Sequence, residues 1–289
     1  MDSVLVLIAA PGSGAIDGRA VELLRDLGSE APRWLAPGEA AAVPAIPRLA
    51  EFMIDAAKLP IDAAVVSIHN RRKRLLIADM DSTMIQQECI DELGVVAGVG
   101  DHIKSVTARA MRGEIDFEGA LKERVALLQG LPESTIQEVI SKRISFMPGG
   151  KTLVTTMKKH GAYAALVSGG FTAFTSHVAH ALGFDENHAN TLLVNNGALT
   201  GEVAQPILGK DAKVKSLRHI ASTRGVRSDD VLAVGDGAND IPMLQAAGMG
   251  VALHAKPKVQ EQAQYVVNHG DLTALLYLQG YSREAFVIS

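Results

Sequence analysis

Asp79-Met-Asp-Ser-Thr83 and Gly235-Asp-Gly-Ala-Asn-Asp240 are the two stretches of this 289-residue chain whose residue types and spacing could do chemistry. Each follows a short apolar run, Leu75-Leu-Ile-Ala78 and Val231-Leu-Ala-Val234. A short apolar run closed by a turn signal predicts a strand buried on both faces. In open α/β sheets, ligands bind just beyond the carboxyl ends of such strands. Two strand ends therefore present carboxylates to the same kind of place. Clustered Asp oxygens suit a hard cation such as Mg2+. A metal held by few protein ligands keeps positions for phosphate oxygens, so the pattern points to phosphoryl chemistry.

Hydrolysis of a phosphate monoester needs a nucleophile, an acid for the leaving oxygen, a base for water, and positive charge around the phosphoryl group. Asp79 is placed to attack and form an aspartyl-phosphate. Asp81, two residues on, can protonate the departing alkoxide and then activate water. A nearby general base makes that intermediate short-lived, which favours a phosphatase over a phosphorylated switch. Asp236 directly follows its strand and can close a metal site. Asp240 stands where a helix begins, so it is a helix cap, a site residue, or both. Gly235 and Gly237 allow close backbone approach, and Asn239 can donate a hydrogen bond. Ser168-Gly169-Gly170 offers a hydroxyl and backbone N–H groups before a helix, a natural phosphate cradle. Lys213 sits on a predicted helix with Lys210 and Lys215, and nothing local distinguishes it from them.

The elements that position these groups follow from hydrophobic period and stop signals. Residues 1–70 read as a separate small unit of roughly β-α-β-α-β order. It has strands at Val4–Ala10 and Ile61–Ile68, and helices at Ile16–Leu27 and Arg48–Lys58. The Ala, Pro and Gly of residues 29–47 give no placeable element beyond a short extra strand. After the strand ending at Asp79, about 65 residues are helical in character, most clearly at Ser105–Arg112, Phe117–Leu128 and Glu133–Lys142. Regular alternation then begins. Helices are expected at Gly150–His160, Phe171–Leu182, Ala212–Arg224 and 242–247. Strands are expected at Ala162–Val167, Val231–Val234, Val251–Leu253 and Tyr265–Val267. Ser168-Gly-Gly170 reads as a tight turn, and Asn196-Gly197 predicts a hairpin across Leu192–Glu202. This alternation implies a parallel sheet with helices on both faces.

Bulk composition sets limits. Hydrophobic residues make up 47%, enough for a packed core, while aromatics at 4% leave the packing to aliphatic side chains. A formal net charge of -4 gives nucleic-acid binding no global support. The basic run Arg71-Arg-Lys-Arg74 leads straight into a strand and reads as a solvated domain junction. One cysteine, Cys89, excludes an intrachain disulfide and fits a reducing compartment. It reads as a small buried thiol. No apolar run reaches membrane-spanning length, and Asp2 precedes the first apolar run where a signal peptide would carry basic residues. The expectation is a cytoplasmic protein that engages neither membrane nor nucleic acid.

Asp79-x-Asp81, Ser168, Lys213 and Gly235-Asp-x-x-x-Asp240, in that order, together resemble the haloacid dehalogenase superfamily. The match spans residues 75 to about 285. It implies a Rossmann-like, doubly wound parallel sheet over residues 71–289, with a small helical cap inserted at about 84–148. By this resemblance Asp79 is the nucleophile and Asp81 the general acid/base. Asp79, the backbone carbonyl of Asp81, and Asp236 would hold Mg2+. Ser168 and Lys213 would stabilise phosphate and nucleophile, with Gly169 in the cradle and Asn239 and Asp240 in support. Glu88, Phe117-Glu-x-x-Leu-x-x-Arg-Val-x-Leu-Leu128 and Val167-Ser-Gly-Gly-Phe171 narrow the likeness to phosphoserine phosphatases. That narrower likeness implies hydrolysis of O-phospho-L-serine, the last step of serine biosynthesis. Glu88 would meet the substrate ammonium and Arg124 its carboxylate, with Met111 and Phe117 as the apolar part of the cap. Residues 1–70 loosely resemble an α+β ACT-type domain, a structural or dimerisation module that would make the chain a homodimer. The near rival is a phosphatase or phosphotransferase of the same fold for another small phosphoester, and a non-catalytic amino-acid sensor built on residues 1–70 is the rival of another class.

Overall fold

The computed structural model describes residues 2–16, 18–26, 31–44, 48–111, 114–209 and 211–288, without the side chains of Ala50, Ile54 and Met111. The calls on Leu27, Gly28, Arg112, Lys210 and the Met111 side chain lie outside what is described. The chain forms two compact units. One comprises residues 1–76, 148–164 and 221–289; the other comprises 77–147 and 165–220.

In chain order the elements begin with β1 (Ser3–Ala9), α1 (Arg19–Asp26), β2 (Arg33–Ala36), β3 (Ala40–Pro44), α2 (Leu49–Ala56) and β4 (Ile61–Ser67). These make a four-stranded antiparallel sheet of order β2-β3-β1-β4, with Leu5 opposite both Val43 and Val65. The β-α-β-β-α-β order is ferredoxin-like, which is the ACT-like arrangement. The middle strand and the short extra strand of the expected order are β2 and β3, whose bounds the sequence did not place. Leu5, Leu7 and Ala9 on one face of β1 pack with Ala20 and Leu24 of α1 and Phe52 and Ala56 of α2. The alternate residues Val6 and Ile8 are buried too, at 0% and 2% exposure, so β1 has two covered faces.

The second face is closed by the end of the chain. A Cβ on Gly270 would lie 3.2 Å from Ile8 Cγ2. The buried Asp62 carboxylate accepts hydrogen bonds from the N–H groups of Asn268 (2.8 Å), His269 (3.0 Å) and Gly270 (2.8 Å). Buried Glu39 accepts from Tyr277 Oη at 2.8 Å and Arg283 Nη1 at 2.7 Å. Residues 1–70 are thus bonded to residues 268–283 by carboxylates that would be costly to leave unpaired.

The first unit also holds α7 (Gly150–Lys159), β10 (Val231–Gly235), α10 (Ile241–Ala246), β11 (Met249–Leu253), α11 (Pro257–Gln260), β12 (Tyr265–Val267) and α12 (Ala274–Leu278). The second holds α3 (Cys89–Val96), α4 (Gly100–Met111), α5 (Phe117–Ala126), α6 (Ser134–Arg143), α8 (Thr172–Leu182), β7 (Glu186–Asn190), β8 (Leu192–Asn195), β9 (Ala198–Val203) and α9 (Ala212–Thr223). Strands β5 (Leu75–Ala78) and β6 (Tyr163–Phe171) complete a six-stranded sheet of order β12-β11-β10-β5-β6-β7. The pairings β10–β11, β11–β12 and β6–β7 are parallel. All four residues of β5 and all five of β10 are buried, as apolar runs in a doubly covered parallel sheet must be. The fold is α/β with a doubly wound parallel sheet, helices α3–α6 inserted after β5, and an N-terminal α+β domain.

Most expected boundaries agree within a residue or two. Three do not. The helix expected from Ser105 begins at Gly100. The helix expected from Ile16 begins at Arg19, while α3 falls in the stretch of expected helical character without bounds of its own there. Ser168-Gly-Gly170 is the end of β6 rather than a tight turn, and the strand runs on to Phe171 with its pairing register shifting between Val167 and Phe171. The hairpin at Asn196-Gly197 is as the sequence predicts, with φ of 51° and 75° at the two residues. Both values are left-handed, as a type I′ turn requires.

Candidate active site

Asp79 is the first residue after β5 and is 5% exposed. Its Oδ1 accepts from the N–H of Met80 at 2.7 Å and lies 2.7 Å from Lys213 Nζ. Lys213 comes from the first turn of α9 and is itself buried. The pair therefore selects Lys213 from its lysine-rich neighbourhood, which the local sequence does not. A buried ammonium on a buried carboxylate keeps the carboxylate ionised and supplies positive charge where phosphoryl oxygens would gather.

Asp81 follows two residues later and is only partly exposed. Burial pushes its carboxyl up to about 7, helped by the nearby Glu88 carboxylate; hydrogen bonds from Cys89 and the charge of Lys213 act the other way. Its Oδ1 accepts from the N–H of Cys89 at 3.2 Å. A carboxyl titrating near neutrality can give a proton in one step and take one in the next. The Cys89 thiol is pushed far up by burial and by Asp81, so it stays protonated. Cys89 is thus buried, as expected, and also touches Asp81, which the sequence does not reveal.

Two glycines shape the end of β6. A Cβ on Gly170 would lie 2.7 Å from Asp81 Oδ2 and 3.1 Å from Ser168 Oγ. Only glycine lets the strand pass so close to the Asp81 carboxyl. Ser168 is buried, and its Oγ accepts from the N–H of Gly170 at 2.9 Å. A Cβ on Gly169 would lie 3.2 Å from the Phe117 ring, so Phe117 at the start of α5 reaches the strand end. Buried Asn190 of β7 donates to the Gly169 carbonyl at 2.9 Å and fixes this segment from behind. Sequence reasoning missed Asn190; no local signal marks it.

The inserted helices add a charged group. Asp116 caps α5 by accepting from Gly119 N–H at 2.7 Å, which orients the helix that carries Arg124. Arg124 donates from Nε to the Ala120 carbonyl at 3.2 Å and from Nη1 to Thr107 Oγ1 at 3.5 Å. Burial pulls its pKa down, while Asp91, Glu88 and Asp81, in that order, pull it up. Glu88 is exposed and its Oε1 accepts from Ser82 Oγ at 2.8 Å, with Ser82 held at a left-handed φ of 54°. Asp91, one turn into α3, was not expected here. Arg124, Glu88 and Asp91 form one electrostatic group.

Asp236 and Asp240 lie in the loop after β10. Asp240 occupies the cap position of α10, but its side chain makes no capping bond to the helix. Its Oδ2 accepts from Gly237 N–H at 3.0 Å instead. A Cβ on Gly235 would come within 2.4 Å of the Asp240 carboxyl carbon, which explains that glycine. Asp79, Asp236 and Asp240 form an acidic cluster whose ligand oxygens all lie within 4.8 Å of one another. Three carboxylates so close repel unless a cation lies among them, and an all-oxygen set suits a hard divalent ion. The residues fit a metal.

The family model of haloacid dehalogenase-like hydrolases matches residues 76–245. The chain belongs to that family. Phosphoserine phosphatase from Streptomyces coelicolor is 46% identical over 80% of this chain and 56% of its own length. That from Streptococcus thermophilus is 47% identical over 69% of this chain and 93% of its own. The chain spans 56% to 65% of the length of the first three curated relatives it matches. Among solved structures, a probable phosphoserine phosphatase from Vibrio cholerae is similar over 98% of this chain and 88% of that one, with a TM-score of 0.82 and 32% identity. A phosphoserine phosphatase solved as a phospho-aspartyl intermediate analogue covers 71% of this chain and 98% of its own, with a TM-score of 0.67 and 39% identity. The acidic cluster is of the kind that holds a divalent ion in haloacid dehalogenase-like phosphatases. Among the described residues, no helix is long and apolar enough to cross a membrane.

Proposed function

We propose that this chain is a Mg2+-dependent phosphatase that hydrolyses O-phospho-L-serine to L-serine and phosphate. The observation that carries it is the buried Asp79–Lys213 pair beside an Asp81 carboxyl pushed up to about 7. The same carboxylate cannot serve both as ionised nucleophile and as proton donor, and here two neighbouring aspartates are driven towards those two states. Likeness to the phosphoserine phosphatases supports the substrate.

The Asp79 carboxylate attacks phosphorus, and the bond from phosphorus to the serine oxygen breaks. Protonated Asp81 gives its proton to that leaving oxygen. The Asp81 carboxylate then takes a proton from water, whose oxygen attacks the phosphorus of the aspartyl-phosphate. The acyl–phosphate bond breaks, phosphate leaves, and Asp79 is restored. Lys213, Ser168 and the N–H groups around Gly169 and Gly170 bind the phosphoryl oxygens, with Asn239 in support. Asp79, the Asp81 carbonyl and Asp236 would hold Mg2+, with Asp240 behind them. The ion supplies charge neutralisation of the phosphoryl oxygens.

Arg124 pairs with the substrate carboxylate and Glu88 with its ammonium. Asp91 holds the guanidinium in place, and Met111 and Phe117 cover the substrate's apolar edge. Residues 1–70 serve as a structural and homodimerising domain beside a cytoplasmic catalytic domain over 71–289. The helices at about 84–148 act as its cap.

The test is phosphate release with Mg2+ from O-phospho-L-serine, beside p-nitrophenyl phosphate and O-phospho-L-threonine. A strong preference for phosphoserine is expected. Turnover of p-nitrophenyl phosphate alone would keep the chemistry and remove the substrate. No turnover of any of the three by folded protein would overturn the proposal.

A further inference from the structure

A pocket of about 200 Å³ opens in the first unit, away from the catalytic carboxylates. Its wall is built from the end of β4, the connector after it, the turn before β10, and the starts of β11 and β12, with Ser67, His69, Arg71, Lys73, Gln264 and Tyr265 among its lining. Asp229 precedes β10, Met249 is the first residue of β11 and Tyr265 the first of β12, so the pocket lies at the amino ends of these strands. The carboxylates of the active site follow the opposite, carboxyl ends.

Two cations in that wall lack a counter-ion. Lys73 is 8% exposed, and its ammonium donates to the Asp229 carbonyl at 2.6 Å. Arg71 is half-buried and donates to the carbonyls of Leu278 at 2.7 Å and Tyr277 at 3.0 Å. Among the described residues, no carboxylate lies within ion-pair distance of either. The Asp229 carboxylate is engaged by Arg227 at 2.6 Å on the surface. Burial and the nearby Arg33 and Arg72 disfavour the charge on Arg71, and burial disfavours that on Lys73. The backbone carbonyls satisfy some donors without forming an ion pair, and the Asp230 and Asp229 carboxylates favour the Lys73 charge only from beyond ion-pair distance. A buried ammonium has three donors, and a guanidinium five. Both residues line a cavity with room for several waters or one small molecule.

We propose that this pocket is a binding site for a small oxyanion, phosphate or a short dicarboxylate, held by Lys73 and Arg71. The anion compensates the two charges and takes up their spare N–H groups, with the Tyr265 hydroxyl and the Gln264 amide as neutral donors. A doubly charged oxyanion fits two cations better than a single carboxylate does. The run Arg71-Arg-Lys-Arg74, which reads from sequence as a solvated junction, is on this account partly an inward-facing ligand site. Arg72 is otherwise engaged, lying over the Tyr281 ring at 4.4 Å.

Calorimetric titration of the full chain in magnesium-free buffer at constant ionic strength tests this, with inorganic phosphate and malonate as probes. Lys213→Met removes the catalytic cation and is expected to leave binding of one anion intact. Lys73→Met is expected to weaken that binding by roughly tenfold or more, since a charge-assisted hydrogen bond is lost. Lys73→Met retains its fold, because an apolar isostere replaces an unpaired buried charge. Should it fail to fold, Arg71→Gln provides the second variant, with the same loss expected. Binding of phosphate alone, or of malonate alone, identifies the oxyanion source. The proposal is overturned if Lys213→Met binds neither probe at millimolar concentration, or if Lys73→Met and Arg71→Gln bind as the unmodified protein does.

Discussion

Lys213 Nζ stands 2.7 Å from Asp79 Oδ1, with both side chains buried. The contact joins the first turn of α9 to the end of β5, across more than 130 residues of chain. Removing either partner strands a charge. Asp79→Asn is expected to lower turnover by ~10⁴-fold or more while leaving the far-ultraviolet dichroism unchanged. Lys213→Met should do comparable damage to the rate and also destabilise the fold, by about 3–5 kcal/mol, because Asp79 then stays buried without that ammonium. Denaturant melts of Lys213→Met beside the unmodified protein would check this; equal stability would contradict the buried pair.

Arg124 offers a test of substrate choice. Arg124→Ala should lower kcat/KM for O-phospho-L-serine by about 100-fold, the cost of losing a charged bidentate partner. Turnover of p-nitrophenyl phosphate, which has no carboxylate, should change little. Equal losses on both substrates would remove Arg124 from substrate recognition.

Asp81 links stability to pH. Its folded pKa of about 7 lies above the ordinary carboxyl value, so between roughly pH 4 and 7 the folded chain holds a proton that the unfolded chain has released. Its contribution to stability therefore falls as pH rises through that window. Asp81→Asn keeps an acceptor for the Cys89 N–H and removes the charge. In metal-free buffer the variant should melt higher than the unmodified protein at pH 8 and nearly equal to it at pH 4, while being inactive. A lower melting temperature at pH 8 would contradict the burial of Asp81.

The fold was legible in the sequence where apolar pattern and turn chemistry agree. The buried strands β5 and β10 and the Asn196-Gly197 hairpin are of that kind, and so are the carboxylates that follow the strands. Elsewhere the local signal misleads. Gly94 reads as a helix breaker, yet it lies inside α3, because a Cβ there would come 2.4 Å from Ile103 Cδ1. Ser168-Gly-Gly170 reads as a turn, yet its glycines serve the approach of Asp81 and Phe117 to an extended strand. Ala40, Ala41 and Ala42 carry no period, so β3 is set by its pairing with β1. Lys213, Asn190 and Asp91 matter through contacts distant in sequence, and no window of neighbours could reveal them. For Lys213 the family resemblance supplied what the local pattern lacked.

The acidic cluster of Asp79, Asp236 and Asp240 predicts the metal response. Dialysis against a chelator should abolish phosphate release and Mg2+ restore it. Ca2+ should restore little, since its larger and looser oxygen shell misplaces nucleophile and phosphoryl group. Asp236→Ala should raise the Mg2+ concentration needed for half-maximal rate. An unchanged Mg2+ dependence would exclude Asp236 as a ligand.

Asp62→Ala removes a carboxylate that accepts three backbone N–H groups. The loss should be on the order of 3 kcal/mol in chemical denaturation, because hydrogen bonds to a charged acceptor are strong and the N–H groups are left buried. The effect on kcat should be small. A midpoint unchanged from the unmodified protein would show that solvent replaces these bonds.

That carboxylate also imposes an order on synthesis. Domains form as units while the chain emerges from the ribosome, amino end first. Here the first sheet carries an apolar surface, Val6 and Ile8, and two carboxylates, Glu39 and Asp62, whose partners lie at residues 268–283. Those partners are made more than 200 residues later. The domain must therefore wait, half-covered, while the next 206 residues are made, and it closes only after they have emerged.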